Sequence, residues 1–315
     1  MPRGHDTASP LKKFTALLTS VLIVGAAVIW LGWGGQITDW LNTLGFDFSK
    51  LAEIIEQTPV EGEIQVHVID VGQGDSILIR SADGTILIDA GTNAAEDDLR
   101  AYLDACGVQT IDYFVCTHPH EDHIGGADMV INRYDVDTVL MMPTESSTAT
   151  VTRLLDAIEE QDVTLVTPEL SESFRVGQMA FTVLAPEAEM ADSGNNASIV
   201  VKLMWGATSF LFTGDAEAEA ERAILDRYPS WELKCDFLKL GHHGSYTSTC
   251  EEFLTAVSPT MVAISCGYDN DYGHPHREVL NRLADHGITE ENILRTDKSG
   301  TVVVASDGYT VYKMN

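Results

Sequence analysis

Thr117-His118-Pro119-His120-Glu121-Asp122-His123-Ile124-Gly125-Gly126 follows directly on a short apolar run, residues 113–116. His118 and His120 are two apart, so on an extended segment their rings leave the chain on the same side. Pro119 holds that segment extended and denies it a helix. Asp122 and His123 fall where the chain turns toward a helix at Gly125-Gly126. Three imidazoles and a carboxylate within six residues form a donor set for zinc, or for manganese or iron. A solvated polar loop has no reason to crowd them behind a strand.

The surrounding pattern tells what carries this segment. Apolar runs at 64–71 and 76–80 flank Gly72-Gln73-Gly74-Asp75 and predict a hairpin; a third strand is expected at 85–89. Helices are expected at 96–106, 150–161, 217–228, 251–257 and 277–286. Further strands are expected at 164–166, 179–185, 199–205, 209–213, 235–240 and 261–265, with two last ones near 301–305 and 309–313. Hairpins dominate early and strand–helix alternation later. That mixture predicts two sheets packed face to face with helices outside. No low-complexity tract or short-period repeat interrupts it.

The amino terminus reads differently. Residues 14–38 carry no charge, and 14–33 (FTALLTSVLIVGAAVIWLGW) are long enough to cross a bilayer as a helix. Arg3, Lys12 and Lys13 precede this stretch and Asp39 is the first acid after it, which places the amino terminus inside and the rest outside. A cleaved signal peptide and a buried core helix are the competing readings. The expected organisation is a cytoplasmic segment 1–13, a membrane helix 14–33, a connector 34–62 and a globular domain 63–315.

The chain has 315 residues with 19 basic and 48 acidic side chains, a net charge of -29. Such a surface repels phosphate backbones at long range, so a broad non-specific nucleic-acid binder is disfavoured. A nuclease is not excluded, because bound metals reverse the field inside one cleft. Five cysteines without a CxxC pair exclude a disulfide scaffold and a thiolate zinc ribbon.

The segment beginning at His118 resembles the HxHxDH signature of the metallo-β-lactamase superfamily. Val68-Ile69-Asp70-Val71-Gly72-Gln73-Gly74-Asp75-Ser76, Leu87-Ile88-Asp89-Ala90-Gly91, Asn195-Asn196-Ala197-Ser198, Phe212-Thr213-Gly214-Asp215, Leu240-Gly241-His242-His243-Gly244-Ser245 and Tyr272-Gly273-His274-Pro275-His276 are similar to one branch of it. That branch is the extracytoplasmic metallo-β-lactamase-like domain of the ComEC family of DNA-uptake proteins, and the resemblance covers roughly residues 64–312. It implies an α/β, four-layer αβ/βα sandwich here preceded by one membrane helix. It implies two divalent metal ions, zinc first and manganese as the alternative. His118 and His120 would bind the first metal, Asp122 and His123 the second, and Asp215 would bridge them. One of His242 and His243 would be a ligand and the other a substrate or hydroxide contact; the expected assignment makes His242 the ligand and counts His243, with Asp122 and His274, among the catalytic groups. The 315 residues show one apolar span and not the polytopic competence channel of that family, so transport is not among the expected activities.

One departure matters. Many superfamily members place another histidine between the HxHxDH motif and the bridging aspartate, but none occurs here between His123 and His242; Asn195-Asn196 stands in that region. The first metal would then have His118, His120, Asp215 and water, with an asparagine oxygen as a further donor, and would be more exchangeable and friendlier to manganese. Asp75 and Asp89 stand at strand ends from which the metal site is within reach. His274 is expected to contact a phosphate, His276 to cap the helix from Arg277, His67 to be structural, and His286 to suit a helix end as a cation. The expected activity is a membrane-anchored, extracytoplasmic, metal-dependent phosphodiesterase or nuclease using a metal-bridging hydroxide. The alternatives are a hydrolase of a cell-wall phosphoester or another ester, and a non-catalytic surface module of the same fold.

Overall fold

In the computed structural model, strands alternate strictly between two environments, and that alternation builds the layers. The structure describes residues 59, 62–187, 190 and 193–314. The expectations for residues 1–13, 14–33 and most of 34–62 lie outside the described residues. Among the described residues no helix is long and apolar enough to cross a membrane. Thr58–Asn315 form one compact unit.

The first sheet holds β1 (Ile64–Val68), β2 (Ile77–Ser81), β3 (Gly84–Ile88), β4 (Thr110–Cys116), β5 (Asp135–Met141) and β6 (Thr164–Val166). The second holds β7 (Ser173–Val176), β8 (Met179–Ala185), β9 (Val200–Trp205), β10 (Thr208–Phe212), β11 (Phe237–Lys239), β12 (Met261–Ile264) and β13 (Ile293–Arg295). The chain then returns to the first sheet with β14 (Val302–Ser306) and β15 (Val311–Lys313). The orders are β15-β14-β1-β2-β3-β4-β5-β6 and β13-β12-β11-β10-β9-β8-β7. Each sheet is antiparallel at one side and parallel at the other, from β3 to β6 and from β10 to β13.

Period 2 decides which residue faces which layer. Ile64, Val66 and Val68 of β1, Ile77 and Ile79 of β2, and Phe210 and Phe212 of β10 fill the core between the sheets. Leu78, Leu87 and Leu211 point the other way, under helices. The first sheet is covered by α1 (Glu96–Ala105), α2 (Glu121–Ile124), α3 (Ala127–Arg133) and α4 (Ala149–Glu160) through Leu99, Leu103, Val130 and Leu154. The second is covered by α5 (Ala218–Arg227), α6 (Ser230–Leu233), α7 (Glu251–Val257) and α8 (Arg277–Asp285) through Ile224, Leu233, Phe253 and Val279. The four-layer αβ/βα sandwich expected from the sequence is therefore present.

Several elements were not legible. β5 opens Asp135-Val136-Asp137, and its acids break the apolar run that marks a strand. β7 begins with exposed positions, and β13 is three residues long. All five cysteines are buried and free.

Candidate metal centre

Most of the candidate-site segments leave the carboxyl end of a strand in or beside a parallel region, where open α/β sheets place their ligands. β3 leads to Asp89, β4 to Thr117-His118, β10 to Asp215, β11 to Gly241-His242-His243 and β12 to the loop carrying His274. Two sheets deliver these ends to one rim, so residues 75 to 274 in sequence become neighbours.

Asp215 is the divider. Its Oδ1 lies 3.2 Å from His123 Nε2 and 3.6 Å from His243 Nε2. Its Oδ2 lies 4.0 Å from His118 Nε2 and 3.8 Å from His242 Nε2. Asp122 Oδ2 stands 3.3 Å from His243 Nε2. Asp122, His123, Asp215 and His243 thus each offer a ligand atom to one small volume. On the other side, His118 Nε2 and His120 Nδ1 approach to 2.9 Å. The donor atoms suit divalent cations. Asp215 Oδ1 and His123 Nε2 are buried and make no hydrogen bond, which is costly unless something electropositive sits between them.

The adjacent histidines reach opposite sides of Asp215 by an unusual backbone. His242 (φ 46) and His243 (φ 55) are both left-handed, and Gly244 follows at φ 80. Each non-glycine residue in that region costs roughly 1–2 kcal/mol, and such strain collects at functional sites. The turn places His243, not His242, with Asp122 and His123. His242 is partly exposed, and its Nδ1 lies 3.1 Å from Glu217 Oε1. His243, expected as a catalytic contact, completes the group of four, and His242, expected as the ligand, stands on the side of His118.

Carboxylates back the rings. His123 Nδ1 is 2.7 Å from Asp89 Oδ2. Asp89 itself is left-handed (φ 57) and accepts from the Thr117 N–H at 2.8 Å and the Thr117 hydroxyl at 2.7 Å. His243 Nδ1 is 3.0 Å from the Ser265 carbonyl and 3.3 Å from Asp75 Oδ1. Asp75 is clasped by Lys239, whose Nζ donates to Oδ2 at 2.6 Å; both side chains are fully buried. Asp75 and Asp89, which the sequence places within reach of the metal site, stand at the Nδ1 side of His243 and His123. Lys239 was missed, because one lysine at the end of an apolar strand carries no sequence signal.

The charge balance follows. Burial alone would raise the Asp215 carboxyl, but His123, His243 and His118 outweigh it and hold it well below the usual carboxylate range. Burial would lower His123; Asp215 and Asp89 overcome that and push it well up. His243 is opposed by burial too, yet Asp215, Asp122 and Asp75 carry it up to about 9. His118 is pushed well down, by burial first and by His123 second.

Asn195 and Asn196 divide their work. Asn196 Oδ1 accepts from the Glu217 and Ala220 N–H groups, which caps the start of α5. Asn195 donates to Glu217 Oε1 at 3.2 Å, and its own Oδ1 is buried without a hydrogen bond. Its side chain lines the mouth of the site, a cavity of about 190 Å³ shared with Gln73, His120, Asp122, Asp215, His242, His243, Tyr272 and His274. A second cleft of about 440 Å³ adjoins it at His120 and is lined by Glu121, Thr144, Ser146 and Thr148 among others.

Residues 69–267 match the Metallo-beta-lactamase superfamily. The chain belongs to the metallo-beta-lactamase superfamily. Within its reach lie curated relatives from competence systems. The chain is 33% identical over 261 residues to ComE operon protein 3 of Bacillus subtilis, covering 77% of this chain and 33% of that protein. It is 33% identical over 251 residues to Competence protein ComA of Neisseria gonorrhoeae, covering 77% of this chain and 32% of that one. It spans about a third of the length of these relatives. Among solved structures, CmlA, a diiron beta-hydroxylase from Streptomyces venezuelae, is similar at 15% identity with a TM-score of 0.52, over 82% of this chain and 55% of that one. That likeness concerns the fold. The superfamily fold and the Asp and His donor set imply divalent metal binding.

The remaining histidines now have places. His274 is buried at the mouth, with Tyr272 stacked on it at 5.6 Å. The Gly267 N–H donates to Gln73 Oε1, which turns Gln73 Nε2 toward His274 Nδ1 at 3.2 Å. Burial, then the neighbouring His243, hold His274 down to about 4. A neutral ring accepting at Nδ1 carries its proton on Nε2. His276 stands at the helix N-terminus as expected, but its side chain makes no cap; its Nδ1 accepts from the Tyr246 N–H at 3.1 Å. His67 is buried against the Tyr102 hydroxyl at 2.8 Å. His286 meets Glu251 at 2.7 Å.

Proposed function

We propose that this chain is a binuclear metal-dependent hydrolase of phosphodiesters. The observation that carries the reading is the split presentation of Asp215: Oδ1 to His123 and His243, Oδ2 to His118 and His242. A carboxylate so placed serves two cations at once. His118, His120 and Asp215 would hold the first ion, with Asn195 Oδ1 and His242 beside it. Asp122, His123, Asp215 and His243 would hold the second. Zinc fits these donors, and manganese is the alternative at the first position, where an asparagine oxygen stands in the region of a further histidine. When bound, the two ions supply Lewis acidity at an ester oxygen and activate a water for attack.

The chain's own groups do the rest. His274 offers its Nε2 proton as a hydrogen-bond donor at the mouth, and its depressed pKa keeps it neutral in ordinary buffers. Tyr272 stacks on its ring and limits its rotation. Among the described residues no lysine or arginine lines either cleft. Negative charge on a substrate must therefore be met by the cations and by neutral donors, which favours a single phosphodiester over a polyanion gripped along its length. Hydrolysis of a cell-wall phosphoester shares this chemistry.

Residues 14–33 would tether the domain to a membrane with the site outside, on the strength of their length and of Arg3, Lys12 and Lys13 before them. The test of function is metal analysis and hydrolysis of a chromogenic phosphodiester by the purified chain reconstituted with zinc or manganese. Uptake of two ions with turnover is expected. Two bound ions without turnover on any phosphodiester would leave the non-catalytic alternative standing.

A further inference from the structure

Among the described residues Lys239 is the one lysine drawn wholly inside the fold, and its surroundings explain why. It ends β11, three residues before His242. Its Nζ donates to Asp75 Oδ2 at 2.6 Å and to the Leu240 carbonyl at 3.0 Å. Asp75 is fixed at its backbone as well: its N–H donates to the Asp122 carbonyl at 3.1 Å, and its carbonyl accepts from Gly91 at 2.8 Å. The Cα of Gly74 packs so closely on the Asp122 carbonyl that a side chain there would collide with it. With Oδ2 occupied by Lys239, the free oxygen of Asp75 is Oδ1. That atom is buried, makes no hydrogen bond, and faces His243 Nδ1 at 3.3 Å. A buried ion pair adds little stability over an apolar pair of the same size. Its retention here needs another reason.

We propose that Lys239 and Asp75 are a positioning pair for the metal centre: the Ser265 carbonyl is the hydrogen-bond partner of His243 Nδ1 at 3.0 Å, and Lys239 pins Asp75 so that the charge of its second oxygen, 3.3 Å away, reinforces that ring orientation, with Nε2 toward Asp122 and Asp215. The pair touches neither substrate nor metal. It acts through His243, as carboxylates behind metal-binding histidines do. It also keeps the Asp75 carboxylate from swinging into the donor set, where it would compete with Asp122.

This rests on the two-ion reading above. The test uses the purified full chain, with zinc titrated against a competing chromophoric chelator. The double substitution Asp75→Leu/Lys239→Met removes both charges together. It is expected to leave the metal-free protein at least as resistant to thermal unfolding as the original, while one of the two zinc affinities falls about 10–100-fold. Both affinities unchanged in a folded double variant would overturn the proposal. Should the double variant not fold, Asp75→Asn is read in its place, with the same loss expected and an unchanged affinity equally damaging. In the unaltered zinc-loaded chain, nitrogen-15 NMR of histidine should show His243 protonated at Nδ1; protonation at Nε2 would overturn the proposal without any variant. An unaltered chain that takes up fewer than two zinc ions would remove the underlying site reading, a failure visible before any variant is made.

Discussion

His123 Nδ1 lies 2.7 Å from Asp89 Oδ2, so the nitrogen left to face Asp215 is Nε2, 3.2 Å from Oδ1. Asp89 achieves this from a left-handed backbone at the end of β3, with Thr117 donating to both of its oxygens. One residue therefore sets the tautomer and the tilt of a candidate ligand on α2. Asp89→Asn keeps a side chain that tolerates the left-handed region and gives up the charge. Zinc affinity should fall about 10–100-fold, measured by calorimetry, with little change in the circular dichroism spectrum. Undiminished affinity would show that His123 needs no such backing.

Much of this site was readable from types and spacing. His118, His120, Asp122 and His123 sit on one strand-to-helix turn, so their proximity is local and the sequence displays it. Asp215 and the Gly241-His242-His243 segment were singled out by their resemblance to superfamily motifs, and each follows an apolar strand whose end lies at the rim. The backing groups were less legible, because they are defined by long-range packing. Asp75 meets Lys239 across 164 positions of chain, and neither residue differs from a turn aspartate or a strand-end lysine until β11 is laid beside the rim. The choice between His242 and His243 depended on two left-handed residues in succession, a backbone no propensity anticipates. β5 was hidden for the opposite reason: its acids face outward from an edge region where the pairing with β4, not the pattern, makes the strand.

Asn195 and Asn196 offer a contrast within one dipeptide. Asn195→His would place an imidazole where the buried Oδ1 now lies without a hydrogen bond, and the weaker of the two metal affinities should rise. Asn196→Ala should instead leave both affinities alone and lower stability by about 1 kcal/mol, because the Glu217 and Ala220 N–H groups lose their cap. Metal titration and denaturant melts on the two variants separate these effects. A metal effect from Asn196→Ala, or none from Asn195→His, would contradict the division of labour.

His67 governs acid stability away from the metal. Burial first, and the Arg80 charge second, lower it from 6.5 to about 3. Between those two values the unfolded chain takes up a proton that the folded chain refuses, so stability falls as pH drops from about 6.5 toward 3 and this contribution is flat outside that window. His67→Leu removes the proton uptake and should flatten the metal-free profile by up to roughly 1.4 kcal/mol per pH unit between pH 4 and 6. Denaturant melts across that range provide the check; parallel profiles for the two proteins would show that His67 does not titrate as described.

The site histidines and Asp215 should rank in a definite order when activity on a chromogenic phosphodiester is compared. Asp215→Ala takes a charged ligand from both ions and should cost about a thousandfold or more. His274→Ala removes one neutral donor at the mouth, a loss on the order of 2–4 kcal/mol in transition-state stabilisation. His276→Ala should cost far less, since its ring is engaged with the Tyr246 N–H rather than the mouth. Gln73→Leu isolates how His274 is used: it leaves the ring in place but frees Nδ1 from its donor, so it should lower the rate less than His274→Ala and add nothing when the two are combined. Rates should be taken at saturating metal with each fold verified by its unfolding transition. A His276→Ala variant as damaged as Asp215→Ala, at unchanged stability, would move the reacting centre outward from Asp215. A Gln73→Leu loss that simply adds to that of His274→Ala would mean the glutamine works on the substrate directly and not through the ring.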